Sequence, residues 1–253
     1  MKKSLILYWH GLGDVIMLTP ALRELYSQGY KTTLLCRQSV ETSMLFKDCH
    51  YIDELIIVEN PHQATNMSES SRINIDLFRS MSKKYKWSGM STHNGLINDK
   101  VDHTLKELRL GNKNPYLEVF IPKDIEEEAM KYINQNYPDG YIFNHTTVEF
   151  HPAHTWDSTD WIDSNLPNLP IIDTGKGGNH YMKFDNINFS FVLAREAKYR
   201  VLSSSVFVHA CEAMGVDMEV INYGKLDRKV WPKNQKLVKR IRENEKWVKQ
   251  YGK

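Results

Sequence analysis

Two short stretches of the sequence place polar residues directly after an apolar run, where a parallel sheet presents its loops. In the first, HGLGD, the residues His10, Gly11 and Gly13 lead to Asp14. Glycines after a strand let the backbone approach an anion, and the start of the following helix favours negative charge. Asp14 has two interpretations: a first-turn acid that caps the helix, or a general base that takes a proton from an attacking hydroxyl. Spacing alone leaves both open.

The second stretch, LSSSVFVHACEAMG, places serines between a predicted strand and a predicted helix. Ser204 and Ser205 bring hydroxyl and backbone N–H groups to a helix start, which suits a phosphate and equally suits an ordinary N-cap. For His209, further along this helix, a half-buried structural histidine is the favoured interpretation when that residue is taken alone. Gly175 and Lys176 follow another predicted strand, LPIIDTG, and Lys176 adds a cation. Because ligands of open α/β sheets bind beyond the carboxyl ends of the strands, we expect a ligand at these turns.

A third stretch, FNHTTVEFHPAHTW, raises the question of zinc, because it contains His145, Glu149, His151 and His154. Their spacing matches no compact ligand motif, and no cysteine is near. A polar loop at a strand end is the favoured interpretation. We therefore predict no metal site.

The first stretch also resembles part of the fingerprint of a nicotinamide-dinucleotide site. A dinucleotide fingerprint has a third glycine where this chain has Ile16, and an acid after the second strand where it has Cys36 and Arg37. Arg37 would suit the 2′-phosphate of NADP. An NADP-dependent oxidoreductase thus remains an alternative that lacks two expected features.

The elements that position these residues alternate as strand, helix and strand, the pattern of a parallel sheet with crossover helices. In the first half we predict a helix over 20–28, and strands over 4–9, 31–37, 52–60 and 117–122. Most of the segment 62–115 is polar and poorly periodic, and only 75–87 suggests a helix. A helix over 124–137 precedes a second alternation, with strands beginning near residues 140, 169, 199 and 218.

Two successive α/β halves follow from this pattern. The predicted domains cover 1–122 and 139–232, and a basic amphipathic helix follows over 233–253. From residue 225 onward there are eleven Lys and Arg against three Asp and Glu, a local charge of +8 within a chain of net charge +2. This tail is either a solvated helix face or a ledge for membrane phosphate or nucleic acid.

Composition excludes several classes of protein. The chain has 253 residues, 41% of them hydrophobic and 25% charged, as is ordinary for a globular protein. It contains no apolar run long enough to span a membrane. Three scattered cysteines give neither a disulfide framework nor a zinc spacing, so a cytoplasmic location is expected.

Together the stretches resemble the family 9 glycosyltransferases, the heptosyltransferase group. GLGDVIMLTPALREL is similar to the amino-terminal signature of that family, a Gly-x-Gly-Asp turn followed by Thr-Pro-Ala-Leu-Arg. SSSVFVHACEAMGVDMEVINYGKLDRKVWP resembles the donor-site signature, and HPAHTWDSTDW is similar to a loop that usually offers a Lys. The three matches occur in the family's order and cover both halves, leaving roughly 60–115 unmatched.

The resemblance implies a GT-B architecture, with two Rossmann-like domains whose parallel sheets face a central cleft, and inversion at the sugar without a metal or other cofactor. It assigns the domain over 1–122 to the acceptor and the domain over 139–232 to the nucleotide sugar. It assigns the base to Asp14, and an acceptor-side turn to His10, Gly11 and Gly13. It assigns donor binding to Ser205, His209, Gly224 and Asp227. Three positions depart from the family: Ser204 replaces Asp, Val206 replaces Gly, and His154 replaces Lys, with a charge that depends on pH.

The predicted function is transfer of a sugar from a nucleotide sugar to an acceptor hydroxyl. The favoured acceptor is a surface saccharide such as lipopolysaccharide core, approached at the inner face of the membrane through the basic tail. A phage-type enzyme that modifies a hydroxymethylated base in DNA is the first alternative. A non-catalytic nucleotide-sugar-binding protein is another, because of Ser204 and Val206.

Overall fold

The computed structural model describes residues 1–37, 44–58, 67–91, 100–111, 114–147, 158–175, 182, 184–203 and 205–220. The chain divides into two compact units, Met1–Phe120 (unit 1) and Ile121–Lys253 (unit 2). The predicted tail helix over 233–253 lies outside the described residues.

Unit 1 is a parallel sheet with helical crossovers. Its strands are β1 (Lys2–Tyr8), β2 (Tyr30–Arg37), β3 (Ile52–Val58) and β4 (Trp87–Ser91). Its helices are α1 (Leu12–Met17), α2 (Thr19–Ser27), α3 (Met67–Ser82) and α4 (Lys100–Glu107). The strands run in the order β3-β2-β1-β4, and every pair is parallel. This is half of a Rossmann-like sheet.

The apolar run in β1 explains its central place. Residues 5–8 are fully buried, as expected for a strand whose two faces are both covered by other elements. On one face Leu5 and Leu7 pack with Leu35 and with Phe78 of α3. The predicted strands over 4–9, 31–37 and 52–60 are therefore confirmed within two residues at each end.

The segment predicted as a strand over 117–122 is not one. Leu117 is buried, but the backbone N–H of Glu118 donates to Thr19 Oγ1 of α2 rather than to a neighbouring strand. The Glu118 carboxylate also accepts from Arg23 at 2.6 Å. The apolar residues of this segment belong to a chain that packs on α2, and the prediction of a strand is wrong.

Unit 2 repeats the parallel architecture. Its strands are β5 (Ile142–His145), β6 (Ile171–Asp173), β7 (Tyr199–Leu202) and β8 (Glu219–Val220). Its helices are α5 (Lys123–Asn136), α6 (Thr159–Asn165), α7 (Ile187–Glu196) and α8 (Val206–Met214). The strand order is β6-β5-β7-β8, again with parallel pairs throughout.

Helix α5 lies between the two domain ranges expected from the sequence, and in the structure it belongs to unit 2. Glu126 on this helix pairs with Arg195 of α7 at 2.7 Å. Helix α7 itself is buried continuously from Asn188 to Ala194, so it forms the centre of the packing on this face of the sheet. Across the described parts of the chain, no helix is long and apolar enough to cross a membrane.

Candidate functional site

The turn after β1 brings His10, Gly11, Gly13 and Asp14 to the edge of unit 1 at which the strands end, here called the carboxyl edge. Gly11 begins α1 with φ −64° and ψ 167°, an extended conformation that any residue adopts. Its N–H donates to Asp14 Oδ2 at 3.2 Å. The Asp14 carboxylate thus accepts a hydrogen bond at the start of its own helix, as the capping interpretation requires.

The same carboxylate is partly exposed, so its capping role and a catalytic role are compatible. The Tyr8 hydroxyl donates to the Asp14 carbonyl oxygen at 2.9 Å, and this hydrogen bond ties the first turn of α1 to the end of β1. Burial, and then the negative charge of Asp14, raise the pKa of Tyr8 well above its usual value. Tyr8 therefore stays a neutral hydroxyl and acts as a hydrogen-bond donor at physiological pH.

A second set of polar residues surrounds His10. Parallel pairing places Tyr8 opposite Ser91, so the ends of β1 and β4 lie side by side. His10 Nε2 lies 3.1 Å from the Ser91 carbonyl oxygen, and Ser91 Oγ donates to Glu107 Oε2 at 2.5 Å. Sequence reasoning missed Ser91 and Glu107 because it did not recognise β4 or α4.

Unit 2 also has a carboxyl edge, at which its strands end. A buried polar network lies there and consists of Asn144, Thr146, Ser158 and Asp173. Asn144 Nδ2 donates to Asp173 Oδ2 at 2.8 Å. Ser158 Oγ donates to Asn144 Oδ1 at 3.0 Å and lies 2.9 Å from Thr146 Oγ1. All four residues are less than 5% exposed. The network therefore joins the ends of β5 and β6 to Ser158, which precedes α6.

Gly175 occupies the tightest point of this edge. Its N–H donates to Asp173 Oδ1 at 2.8 Å. A Cβ placed on Gly175 would lie 2.7 Å from the Thr147 carbonyl oxygen and 3.0 Å from its nitrogen. Since both of these crowding atoms belong to backbone, a Cβ could be accommodated only by moving the chain. Gly175 thus allows the residues just after β6 to approach Thr147 closely.

The start of α8 contains Ser205, which the sequence predicts to bind the donor. Ser205 is the N-cap residue, with φ −146° and ψ 178°, and its side chain makes no capping hydrogen bond. Its Oγ is buried and has no hydrogen-bond partner among the described residues. His209 follows at i+4 and so lies on the same face of the helix. In the first turn of α8 the Val208 N–H donates to the Ser205 carbonyl at 3.2 Å, and no side chain of the described residues caps the helix start. An uncapped helix start of this kind suits an anion.

His145, at the end of β5, is neutral in the folded protein. Burial lowers its pKa to about 4 from the usual 6.5. Its ring lies 4.5 Å from the ring of Phe207, and its Nδ1 lies 3.0 Å from Thr174 Oγ1. The other residues of the zinc hypothesis, Glu149, His151 and His154, lie outside the described residues.

Of the twelve site residues predicted from sequence, the structure places seven. His10, Gly11, Gly13 and Asp14 share the carboxyl edge of unit 1. Gly175, Ser205 and His209 belong to unit 2. The remaining five lie outside the described residues: His154, Lys176, Ser204, Gly224 and Asp227.

Two Rossmann-like α/β units, each with a parallel sheet, define the fold class of the GT-B glycosyltransferases. No protein-family model and no curated protein sequence matches the chain. Solved structures match over almost its whole length. The glycosyl transferase family 9 protein of Veillonella parvula has a TM-score of 0.59 and 14% identity over 96% of this chain and 97% of its own.

Two further structures give the same result. The E. coli ADP-heptose LPS heptosyltransferase II has a TM-score of 0.55 and 10% identity over 97% of this chain and 100% of its own. The E. coli heptosyltransferase WaaC with ADP has a TM-score of 0.52 and 11% identity over 85% and 86%. The resemblance to the family 9 glycosyltransferases and the α/β fold class are thereby confirmed at the level of the fold.

Proposed function

We propose that this chain is an inverting, metal-independent glycosyltransferase that moves a sugar from a nucleotide sugar to an acceptor hydroxyl. One observation carries the proposal: a fold shared with glycosyltransferases has a partly exposed carboxylate, Asp14, at one carboxyl edge and an uncapped helix start, at Ser205, at the other. The carboxylate suits acceptor activation, and the helix start suits a diphosphate.

The donor is assigned to unit 2. Its diphosphate would accept hydrogen bonds from the first N–H groups of α8 and from the Ser205 hydroxyl. Because His145 is neutral, it would contribute no positive charge at this edge. The helix dipole, together with the expected cations His154 and Lys176, would balance the charge of the diphosphate.

The reaction breaks one bond and forms one. The acceptor oxygen attacks the anomeric carbon from the face opposite the diphosphate, which inverts the configuration, and Asp14 takes the hydroxyl proton. The bond from the anomeric carbon to the diphosphate oxygen breaks, and the nucleoside diphosphate leaves with the electron pair. Donors at α8 would stabilise the charge that develops on it, as in other electrostatically preorganised sites.

For donor and acceptor, we propose an ADP-sugar and a lipopolysaccharide core saccharide, because the E. coli neighbour is named for both. The basic segment 233–253 would bring the enzyme to an anionic membrane surface, such as the inner face of the cytoplasmic membrane, that carries this acceptor.

The first experiment is a binding panel by thermal shift and calorimetry. It compares ADP-, UDP- and GDP-sugars, their nucleoside diphosphates and NADP, each with EDTA and with added Mg²⁺. We expect one nucleotide to bind both as the diphosphate and as the sugar, equally with EDTA. Binding of NADP alone would contradict the transferase, and binding that requires Mg²⁺ would contradict its metal independence.

Ser205→Ala tests the donor site with Ser164→Ala as the matched control, since Ser164 is exposed on α6 of the same unit. Loss of one hydrogen bond to a charged group predicts a Kd about 10-fold higher for the nucleotide sugar in Ser205→Ala. The control should bind as wild type. Product assays with core oligosaccharide and with hydroxymethylated DNA then decide between the two acceptors, and binding without transfer to any acceptor would favour the non-catalytic alternative.

A further inference from the structure

A chain of hydrogen bonds at the carboxyl edge of unit 1 runs from Glu107 through Ser91 to His10, here called the Glu107 chain. Ser91 Oγ donates to Glu107 Oε2 at 2.5 Å, and the Ser91 carbonyl oxygen lies 3.1 Å from His10 Nε2. A carbonyl oxygen only accepts, so Nε2 carries the hydrogen in this bond. The chain therefore selects one neutral tautomer of His10.

Two of the three members of the chain are buried, and the Glu107 side chain is 26% exposed. Ser91 is fully buried and His10 is only 6% exposed. The Tyr8 ring meets the His10 ring edge-on, with centroids 4.7 Å apart, which restricts rotation of the imidazole. His10 directly precedes Gly11, whose N–H binds the Asp14 carboxylate. A shift of His10 would thus be transmitted to the turn that orients Asp14.

Glu107 lies where a negative charge is unfavourable on general grounds. It is the last residue of α4, and carboxylates near a helix C-terminus are repelled by the helix dipole. Its contacts compensate for this: the Ser91 hydroxyl bonds one oxygen, and His103 Nε2 lies 3.4 Å from the other. An acid at such a position, bonded to the residue whose carbonyl binds His10, suits a role beyond helix stability.

We propose that Glu107 is a positioning residue for the acceptor-side turn, holding His10 through Ser91 in the Nε2–H tautomer beside Asp14. The inference rests on the proposed function for its catalytic consequence, but the geometry of His10 is testable without any activity. Glu107 itself is not expected to touch the acceptor or the donor.

The first test is spectroscopic. Long-range ¹H–¹⁵N correlation spectra of the full chain report which imidazole nitrogen carries hydrogen, and a His10→Gln variant identifies the His10 signals. We expect the Nε2–H tautomer in the wild type and a mixture of tautomers in Glu107→Ala. Glu107→Gln should retain the wild-type tautomer, because its amide oxygen still accepts from Ser91 Oγ. An unchanged His10 spectrum in a folded Glu107→Ala protein would overturn the inference.

The second test is kinetic, with the donor and acceptor found by the binding panel. Since a displacement of about 1 Å at a catalytic group costs on the order of 100-fold, we expect kcat of Glu107→Ala to fall about 10- to 100-fold. The KM for the nucleotide sugar should be unchanged. Glu107→Gln should recover most of the rate. Glu127→Ala is the control, since Glu127 also pairs at i,i+4, with Lys123, but on an exposed face of α5.

The two proposals fail in different ways. A changed His10 tautomer in a protein that transfers no sugar would refute the proposed function and leave the Glu107 chain standing. A changed tautomer with wild-type kcat would overturn the positioning role. A fall in kcat equal to the loss of folded protein in Glu107→Ala, with no recovery in Glu107→Gln, would also overturn it.

Discussion

Replacement of Asp14 by Asn separates its two roles at the start of α1. In the wild type the Gly11 N–H donates to Asp14 Oδ2 at 3.2 Å, and the amide oxygen of Asn can still accept this hydrogen bond. An amide, however, is not a base near neutral pH. General bases contribute about 10²- to 10⁴-fold, so kcat of Asp14→Asn should fall by that factor. This corresponds to about 3–5 kcal/mol of activation free energy.

Stability provides the contrast. A lost N-terminal capping interaction costs about 0.5–2 kcal/mol, so Asp14→Ala should lower Tm by a few degrees, roughly 2–4 °C for each kcal/mol. Asp14→Asn should keep the wild-type Tm because it keeps the acceptor. Asp124→Asn is the matched control, since Asp124 is also a first-turn acid but is exposed on α5.

The assay is release of nucleoside diphosphate at saturating donor and acceptor, with Tm measured on the same preparations. The KM for the donor should not change in Asp14→Asn, because the donor is assigned to unit 2. A wild-type kcat in Asp14→Asn would refute the general-base role and leave Asp14 as a capping residue. Equal losses of activity in the Asn and Ala variants, each in proportion to unfolded protein, would do the same.

Two further predictions concern unit 2. Gly175→Ala forces a Cβ to within 2.7 Å of the Thr147 carbonyl oxygen, so denaturant unfolding should show a loss of about 1–3 kcal/mol together with weaker nucleotide binding. Gly111→Ala, where nothing lies within 4 Å of the added Cβ, should change neither, and equal effects in both variants would contradict the crowding argument. For His145, with pKa about 4 when folded and 6.5 when unfolded, only the unfolded chain gains a proton between these values. The free energy of unfolding should therefore fall, by up to about 3 kcal/mol, as pH decreases from 6.5 to 4, and His145→Asn should lose this slope; an unchanged slope would exclude His145 as its source.

The sequence predicts the elements whose pattern follows from burial alone. Strand β1 is an apolar run because both of its faces are covered, and α5 has the acids in its first turn that the helix dipole favours. The Asp14 turn can also be predicted from the sequence, because it directly follows a strand and this neighbourhood is a local feature of the chain. Whether Asp14 is a base stays a prediction, because capping geometry and catalytic use share one residue.

Strand β4 was missed because its sequence, WSGMS, is short and weakly apolar. Its place in the sheet is set by pairing with β1, a contact between residues about 80 positions apart that no local pattern reports. The error over 117–122 is the opposite one, because a strand was predicted where the structure has none. Its apolar and β-branched residues are strand-like, but its backbone and the Glu118 side chain bind residues of α2, so tertiary contacts override the local pattern.

Gly89 links these missed elements to the site. A Cβ on Gly89 would lie 2.5 Å from the Trp87 ring and 2.8 Å from Leu108 Cδ2. Because glycine has no Cβ, Leu108, the residue after α4, can pack directly on β4. That packing lies beside the contact between Glu107 and Ser91. A glycine in a weak strand would ordinarily indicate a loop, and here it is what allows α4 to approach. The polar segment that matched no family signature therefore contributes to the turn after β1 through side-chain volume and sheet order, neither of which is encoded in the spacing of the motif itself.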